Sequence, residues 1–313
     1  RGDFFNAPIG TGPYKFIEWV NDSHITLQAF EEYHGQPALE KNVTIRFIYY
    51  SKYISEIEAG SADFAFDLPV EYLSEVPGNP EVDIVTQDAP YISYIGMNNR
   101  YAPFNDIRFR QALAMGIDRE SLVQAAYPAG TEALTYFNPC NIPNACQGES
   151  WYSYDPEKAK ALLEEAGYAS GTKIKLYIES YDYDYQPDPQ ALIQNLQNQL
   201  RQNLGIELEI IEETSIYSRK FDGVLDGLFI DGQIFDPIHP NYLHFLYDGI
   251  LQYTGDPYPK LVELEQTAMN KPLDTGIYEQ INNQFREDVP FIPLAKINLY
   301  HLANASLKYV SIS

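Results

Sequence analysis

Positive charge is scarce in this chain: 21 lysines and arginines stand against 44 aspartates and glutamates over 313 residues, a formal net charge of −23. A surface of that sign repels phosphate backbones and anionic bilayers, so nucleic acid is excluded as an expected partner. Long apolar runs are also missing. No stretch approaches the roughly 20 residues that a helix needs to cross a bilayer, although 45% of the residues are apolar, a globular composition and not a disordered one. A chain of this length supports two domains, or one large α/β domain, with substantial cores. The opening residues "RGDFFNAPIGTGPY" contain no charged-then-apolar leader, so a signal sequence is expected upstream or already removed. Arg1, Gly2 and Asp3 spell an adhesion tripeptide, and Asn21, Asn42 and Asn304 begin N-x-S/T sequons; motifs this short arise by chance and carry no weight.

Cysteine is nearly absent. Cys140 and Cys146 share the loop "NPCNIPNACQG", with five residues between them including Pro143. The spacing is too wide for a redox pair, and the loop lacks the further ligands of a zinc site. A local disulfide is expected, which favours an oxidising compartment; the alternative is two neighbouring reduced thiols. Catalytic signatures are missing too. "GTGPYK" lacks the third glycine and the helix of a dinucleotide site, and there is no phosphate loop and no G-x-S-x-G elbow. The histidines, His24, His34, His239, His244 and His301, are scattered. His239 and His244 flank Pro240 near Asp236 but without a paired helical spacing, so no metal and no cofactor is expected. Carboxylates are so plentiful that pairs can be found anywhere, which makes them poor support for a glycosidase.

What the chain does have is aromatic residues, 26 tyrosines and 16 phenylalanines, gathered in part around "SYDYDYQPD" and "IFDPIHPNYLHFLYDG". Rings with polar tips give large contact area at low entropic cost, as ligand clefts require, while many others fill strand faces. The first region reads as antiparallel strands: "YKFIEWV", "HITLQAF" and "VTIRFIYY" alternate apolar and polar residues. Residues 51–73 predict a helix, a short strand and a second helix, and Tyr91 to Asn99 another strand. "YAPFNDIRFRQALAMGIDRESLVQAAYPAG" then reads as two short helices, with Asn105 or Asp106 capping the first and Asp118 the second. Beyond it helices and strands alternate. Asp155 caps a helix with Pro156 in its first turn; "KIKLYIES" is a strand; Asp188 to Leu204 is a helix with Leu192, Leu196 and Leu200 on one face; "IELEII" and "GVLDGLFI" are strands, the latter apolar enough to be buried. Strands separated by such helices imply parallel pairing in a mixed α/β domain. "PFIPLAKINLYHLA" alternates like the first region, so the chain is expected to leave one domain near Arg100 and return near Pro290.

Four blocks in order resemble the extracellular solute-binding proteins of family 5, which serve peptide, nickel and related ABC importers: "GTGPYKFIEWV", "PFNDIRFRQALAMGIDRESLV", "YDPEKAKALLEEAGY" and "VPFIPLAKINLY". The resemblance implies a bilobal α/β fold of the periplasmic-binding-protein type, with mixed sheets flanked by helices. Residues 1–99 would supply part of lobe I with a hinge strand near 91–99, residues 100–290 the second lobe, and residues 291–313 the return strand. The earlier part of lobe I and a small extra domain of the family have no counterpart here. It also implies a monomeric, non-catalytic protein outside the cytoplasm, lipid-anchored or free, that closes on a solute and delivers it to a membrane permease. Peptide-binding members are similar in an aspartate that neutralises the peptide amino terminus. Counted forward from Phe221 that position falls on Asp231; counted back from Asp236 and Pro237 it falls on Gln233, and Leu228 replaces the family's tryptophan. An aspartate suits a cationic amine and a glutamine a sugar hydroxyl or another uncharged group. Asp231, Gln233, Phe235, Phe229, Tyr94, Asn98 and Asn99 are therefore the expected ligand-binding residues, with peptide and oligosaccharide both open. The competing readings are an accessory subunit that kept the fold and lost transport, and a hydrolase.

Overall fold

The computed structural model describes residues 8–76, 78–138, 140, 144–179, 187–234, 258–270 and 275–307. By contact the chain divides into two units, residues 1–85 with 301–311, and residues 86–300 with 312–313. In the first unit the alternating segments form β1 (Tyr14–Val20), β2 (His24–Ala29) and β3 (Asn42–Arg46), an antiparallel sheet in the order β1-β2-β3. Its register sets Phe16 against Leu27 and Trp19 against Ile25, and Ile25 and Leu27 against Ile45 and Val43, so the apolar residues share a face. Helix α1 (Tyr53–Glu58), β4 (Phe64–Ala65) and a 3-10 turn at Val70–Glu75 follow, in the predicted order. Phe64 and Ala65 pair with Ala303 and Leu302 of the returning chain.

The second unit opens with β5 (Val82–Met97), whose first residues still belong to the first. The stretch 101–130 folds as α2 (Ile107–Gly116) and α3 (Arg119–Ala126). Asp106, and not Asn105, caps α2 by accepting from the Arg108 amide, and Asp118 caps α3 by accepting from that of Ser121. The Arg108 guanidinium folds back on Asp106, and its hydrogen bonds hold that carboxyl below the usual range. Arg110 is buried instead, and donates to the carbonyls of Phe104 at 2.7 Å and Asp288 at 2.7 Å.

Next come α4 (Pro156–Glu165), β6 (Lys173–Glu179), α5 (Pro189–Leu204), β7 (Glu207–Glu213), α6 (Tyr217–Phe221) and β8 (Leu228–Ile234). Then α7 (Pro259–Asn270), α8 (Thr275–Asp288) and β9 (Phe291–Asn304) close the described chain. Asp155 and Asp188 each cap a helix whose first turn carries a proline. Gly205, at φ 65°, ends α5 in the left-handed conformation that costs glycine least. In α5, Leu192, Leu196, Leu200 and Leu204 recur every fourth residue and are all buried.

The strands lie in the order β9-β5-β8-β6-β7, with β4 on the outer side of β9. β6 pairs in parallel with β7 and β8, and β8 pairs antiparallel with β5, giving the mixed sheet that was expected. One core takes Leu113, Leu122, Leu163 and Leu196 from α2, α3, α4 and α5 together with Ile95 and Ile230 of the sheet. The other takes Ile216, Leu261 and Phe285 with Ile92, Tyr94 and Phe229. Helices thus cover both faces, an α/β/α layering. The units divide the chain at Val85/Thr86 and Tyr300/His301, inside β5 and β9, whereas the sequence reading set the changeovers at 99/100 and 290/291. Both strands are long, and the second unit's sheet takes the greater part of each. Cys140 and Cys146 are joined as a disulfide, with Cα atoms 5.1 Å apart.

His301 sits at the start of the first unit's returning segment, with its side chain 2% exposed. Its ring stacks on Phe64 and meets the edge of Phe66, while Nδ1 accepts the Asp67 amide proton at 3.0 Å. Only the neutral ring can accept there. Burial lowers its pKa below the usual imidazole value, against an opposing pull from the Asp67 carboxylate 3.6 Å away. The unfolded chain therefore binds this proton more readily than the folded one. Its contribution is complete above about pH 6.5 and is lost as pH falls through the lower folded value. Urea unfolding of wild type should weaken over that interval more steeply than that of His301→Gln; equal slopes would refute the assignment.

Candidate functional site

The site grows from the antiparallel register of β5 and β8. Ile92 faces Gln233, Tyr94 faces Asp231 and Gly96 faces Phe229, and alternation sends these residues to one side of the sheet. Asp231 and Gln233 are two apart, so both countings of the sequence lead to the same face. Their neighbours in the strands, Ser93 and Ile95, lie toward the other core, where Ser93 Oγ and the Tyr127 hydroxyl are 2.7 Å apart.

Asp231 is buried, and its surroundings are full. Its Oδ2 accepts from the Tyr94 hydroxyl at 2.9 Å and from the Lys220 ammonium, and its Oδ1 accepts from the Gly232 amide at 2.9 Å. Lys220 comes from α6, with its side chain only 10% exposed and that of Asp231 12%. The ammonium lies 5.8 Å from the ring centre of Tyr217 and 5.9 Å from that of Phe221, within reach of cation–π attraction. A second ionic group ties β6 to the residues just before β8. Asp226 accepts from Lys175 at 2.7 Å and from the Tyr177 hydroxyl; burial pushes its carboxyl up, but these hydrogen bonds outweigh burial and hold it below the usual range. Arg219 lies 5.0 Å over the Tyr177 ring and pairs with Glu213.

The other expected ligand contacts fall in different places. Phe229 is fully buried, its ring against Gly96 where a Cβ would collide with it; it is core, contrary to the expectation. Asn98 is fully buried too, donating to the Gly223 carbonyl at 2.8 Å and accepting from the Arg100 amide, so it orders the end of β5. Asn99 donates to the Tyr258 hydroxyl at 2.7 Å. Gln233 is half-buried. Phe235 lies outside the described residues, as do Asp236, Pro237, His239 and His244. Sequence reasoning missed Lys220: a lysine in a short helix reads as solvent-facing, and the one available signal was its position between Tyr217 and Phe221. Among the described residues no group of three or more His, Cys, Asp or Glu side chains could hold a metal ion, and no helix is long and apolar enough to cross a membrane.

A mixed sheet with helices on both faces, entered and left by long strands shared between two units, is the architecture of a periplasmic-type binding protein. Solved structures agree: HbpA2 from Haemophilus parasuis superposes with a TM-score of 0.81 at 22% identity, over 95% of this chain and 60% of that one. The model of the bacterial extracellular solute-binding proteins, family 5, matches residues 1–249, and the chain belongs to that family. Among curated relatives, it is 27% identical over 303 residues to Heme-binding protein A of Haemophilus influenzae, covering 93% of this chain and 55% of that protein. It is 26% identical over 311 residues to Di/tripeptide-binding protein 1 of Pseudomonas aeruginosa, covering 95% of this chain and 57% of the relative. The chain thus spans little more than half the length of these relatives.

The buried pair makes a measurable demand on stability. Removing one partner leaves the other's charge uncompensated, which costs about 3–5 kcal/mol, whereas removing both is far milder. Lys220→Met should therefore lower stability in chemical denaturation by about that amount, and adding Asp231→Asn should restore much of it. An additive double variant would mean that the two groups do not interact.

Proposed function

We propose that this chain is part of the substrate-binding component of an ABC importer, and that it captures a peptide-like solute without chemical conversion. The observation that carries the reading is the pair of strands β5 and β9, each of which runs from one compact unit into the other. On this reading the lobes follow the two units, residues 1–85 with the returning segment from 301 and residues 86–300, so that the changeovers fall inside β5 and β9 instead of at 99/100 and 290/291, and the shared strands absorb the rotation of closure. Family membership supports a solute carrier, and relatives named for di/tripeptides and for heme support organic solutes. The protein acts outside the cytoplasm as a monomer, and its partner is a membrane permease that receives the closed form. Closure is driven by solute contacts that the open form lacks.

The reading is tested on the full-length protein purified from its source. Native mass spectrometry should detect one solute of discrete mass per protein, and denaturation should release it unaltered for identification. An incubated peptide returned as fragments would mean hydrolysis. A protein without solute, held stoichiometrically in a larger complex, would make it an accessory subunit.

A further inference from the structure

The first unit carries a sheet with two unlike faces. Along β1, β2 and β3 the register stacks Lys15, Gln28 and Asn42 in one row and Glu18, Thr26 and Thr44 in another, all polar. The rows that alternate with them are apolar: Phe16, Leu27 and Val43, then Trp19, Ile25 and Ile45. A bulge between Phe16 and Glu18 sustains the pattern, because the extra residue in β1 brings Trp19, three positions after Phe16, back to the apolar side. Such alternation is how an antiparallel sheet reads when water meets one side and a core the other. Yet none of the six apolar side chains is buried, and Trp19 is 46% exposed and Ile45 44%. We propose that this face is an internal docking surface, covered in the full-length protein by apolar residues of the same polypeptide that lie outside these 313 residues.

Three observations carry it. A three-stranded sheet gains its stability by burying its apolar side, and left in water that side would invite association. The next helix in the chain, α1, is tied to the sheet through a residue in phase with the polar rows: Arg46 donates to Glu56 at 2.8 Å and to the Ser61 carbonyl at 3.0 Å. Second, the chain spans little more than half the length of its curated relatives, so proteins of this family hold enough further residues to supply a covering layer. Third, a net charge of −23 sets a second copy against the protein at long range. A segment of the same polypeptide meets the face at a high effective concentration instead. The inference is independent of the identity of any solute.

Three measurements on the full-length protein from its source test this. Its intact mass should exceed that of the 313 residues; an equal mass overturns the proposal. Hydroxyl-radical labelling of wild type, read by peptide mass spectrometry, then takes Trp151 as the standard for Trp19. Trp19 should be oxidised within about threefold of the rate of Trp151, which is 6% exposed, and a larger ratio overturns the proposal. In the third, p-benzoylphenylalanine takes the place of Ile45 and is activated by light in dilute solution. The product should stay monomeric, with the new bond leading to a peptide outside residues 1–313. A bond to a peptide within residues 1–313, a crosslinked dimer, or a folded variant that forms no crosslink overturns the proposal. Where the Ile45 variant does not fold, the same replacement at Phe47, which follows in phase and is 47% exposed, gives the same decision.

Discussion

The register between β5 and β8 is the constraint on which the second unit depends. Seven residues of each strand pair without a slip, from Tyr91 with Ile234 to Met97 with Leu228. A shift of one residue would turn every side chain to the opposite face. Ile95 and Ile230 would leave the core built on α2 to α5, and the Asp231 carboxylate would enter it, far from the ammonium that neutralises it. Gly96 helps fix the register by size: Phe229 lies where any side chain at that position would have to go. Both faces of the sheet are thereby apolar, and one of them also holds a buried charge that is tolerated because it is paired.

The return of the chain depends on carbonyl groups that need donors. Where α8 ends, its last carbonyls lack helical partners, and Arg110 supplies them, bonding Asp288 and Val289 as well as Phe104. Arg119 does the same one element later, donating to Leu134 at 2.6 Å and to Pro293 at 3.0 Å, with its guanidinium pushed down to about 10 by burial. Leu134 in turn donates its amide to Leu294. The stretch 101–130 is thus constrained by more than its two caps. Its arginines, Arg110 buried and Arg119 half-buried, satisfy the backbone just before and just inside β9, so the strand that leads back to the first unit is fixed by residues that follow the strand leading out.

Much of this was legible in the sequence where the signal is local. Asp106, Asp118, Asp155 and Asp188 announce helices because a cap satisfies amides two or three residues away, and the leucines of α5 reveal their face through spacing alone. What could not be read depends on distant partners. β5 begins at Val82, not near Tyr91, because "VDIVTQDAP" mixes polar residues and a proline that weaken the alternation. "VTIRFIYY" looks like one continuous strand, yet β3 stops at Arg46, where its partner β2 begins and no further ladder is available. At the candidate site, alternation along β8 correctly put Asp231, Gln233 and Phe229 on one face, but Phe229 is core, since an aromatic has the same composition whether it faces solvent or core. The buried state of Lys220 was hidden for a related reason: its acceptor lies 11 residues away in sequence, on an element whose register is set by β5.

The overall charge gives the ion pair its meaning. A chain of net charge −23 attracts cations in general, so an uncompensated carboxylate would add short-range attraction to a long-range field of the same sign. The protein instead holds Asp231 with Lys220, Asp226 with Lys175, and Glu213 with Arg219. Each pair removes a charge that a small cation would otherwise find. Pairing is what lets Asp231 be buried in a strongly acidic protein without the cost of an uncompensated charge.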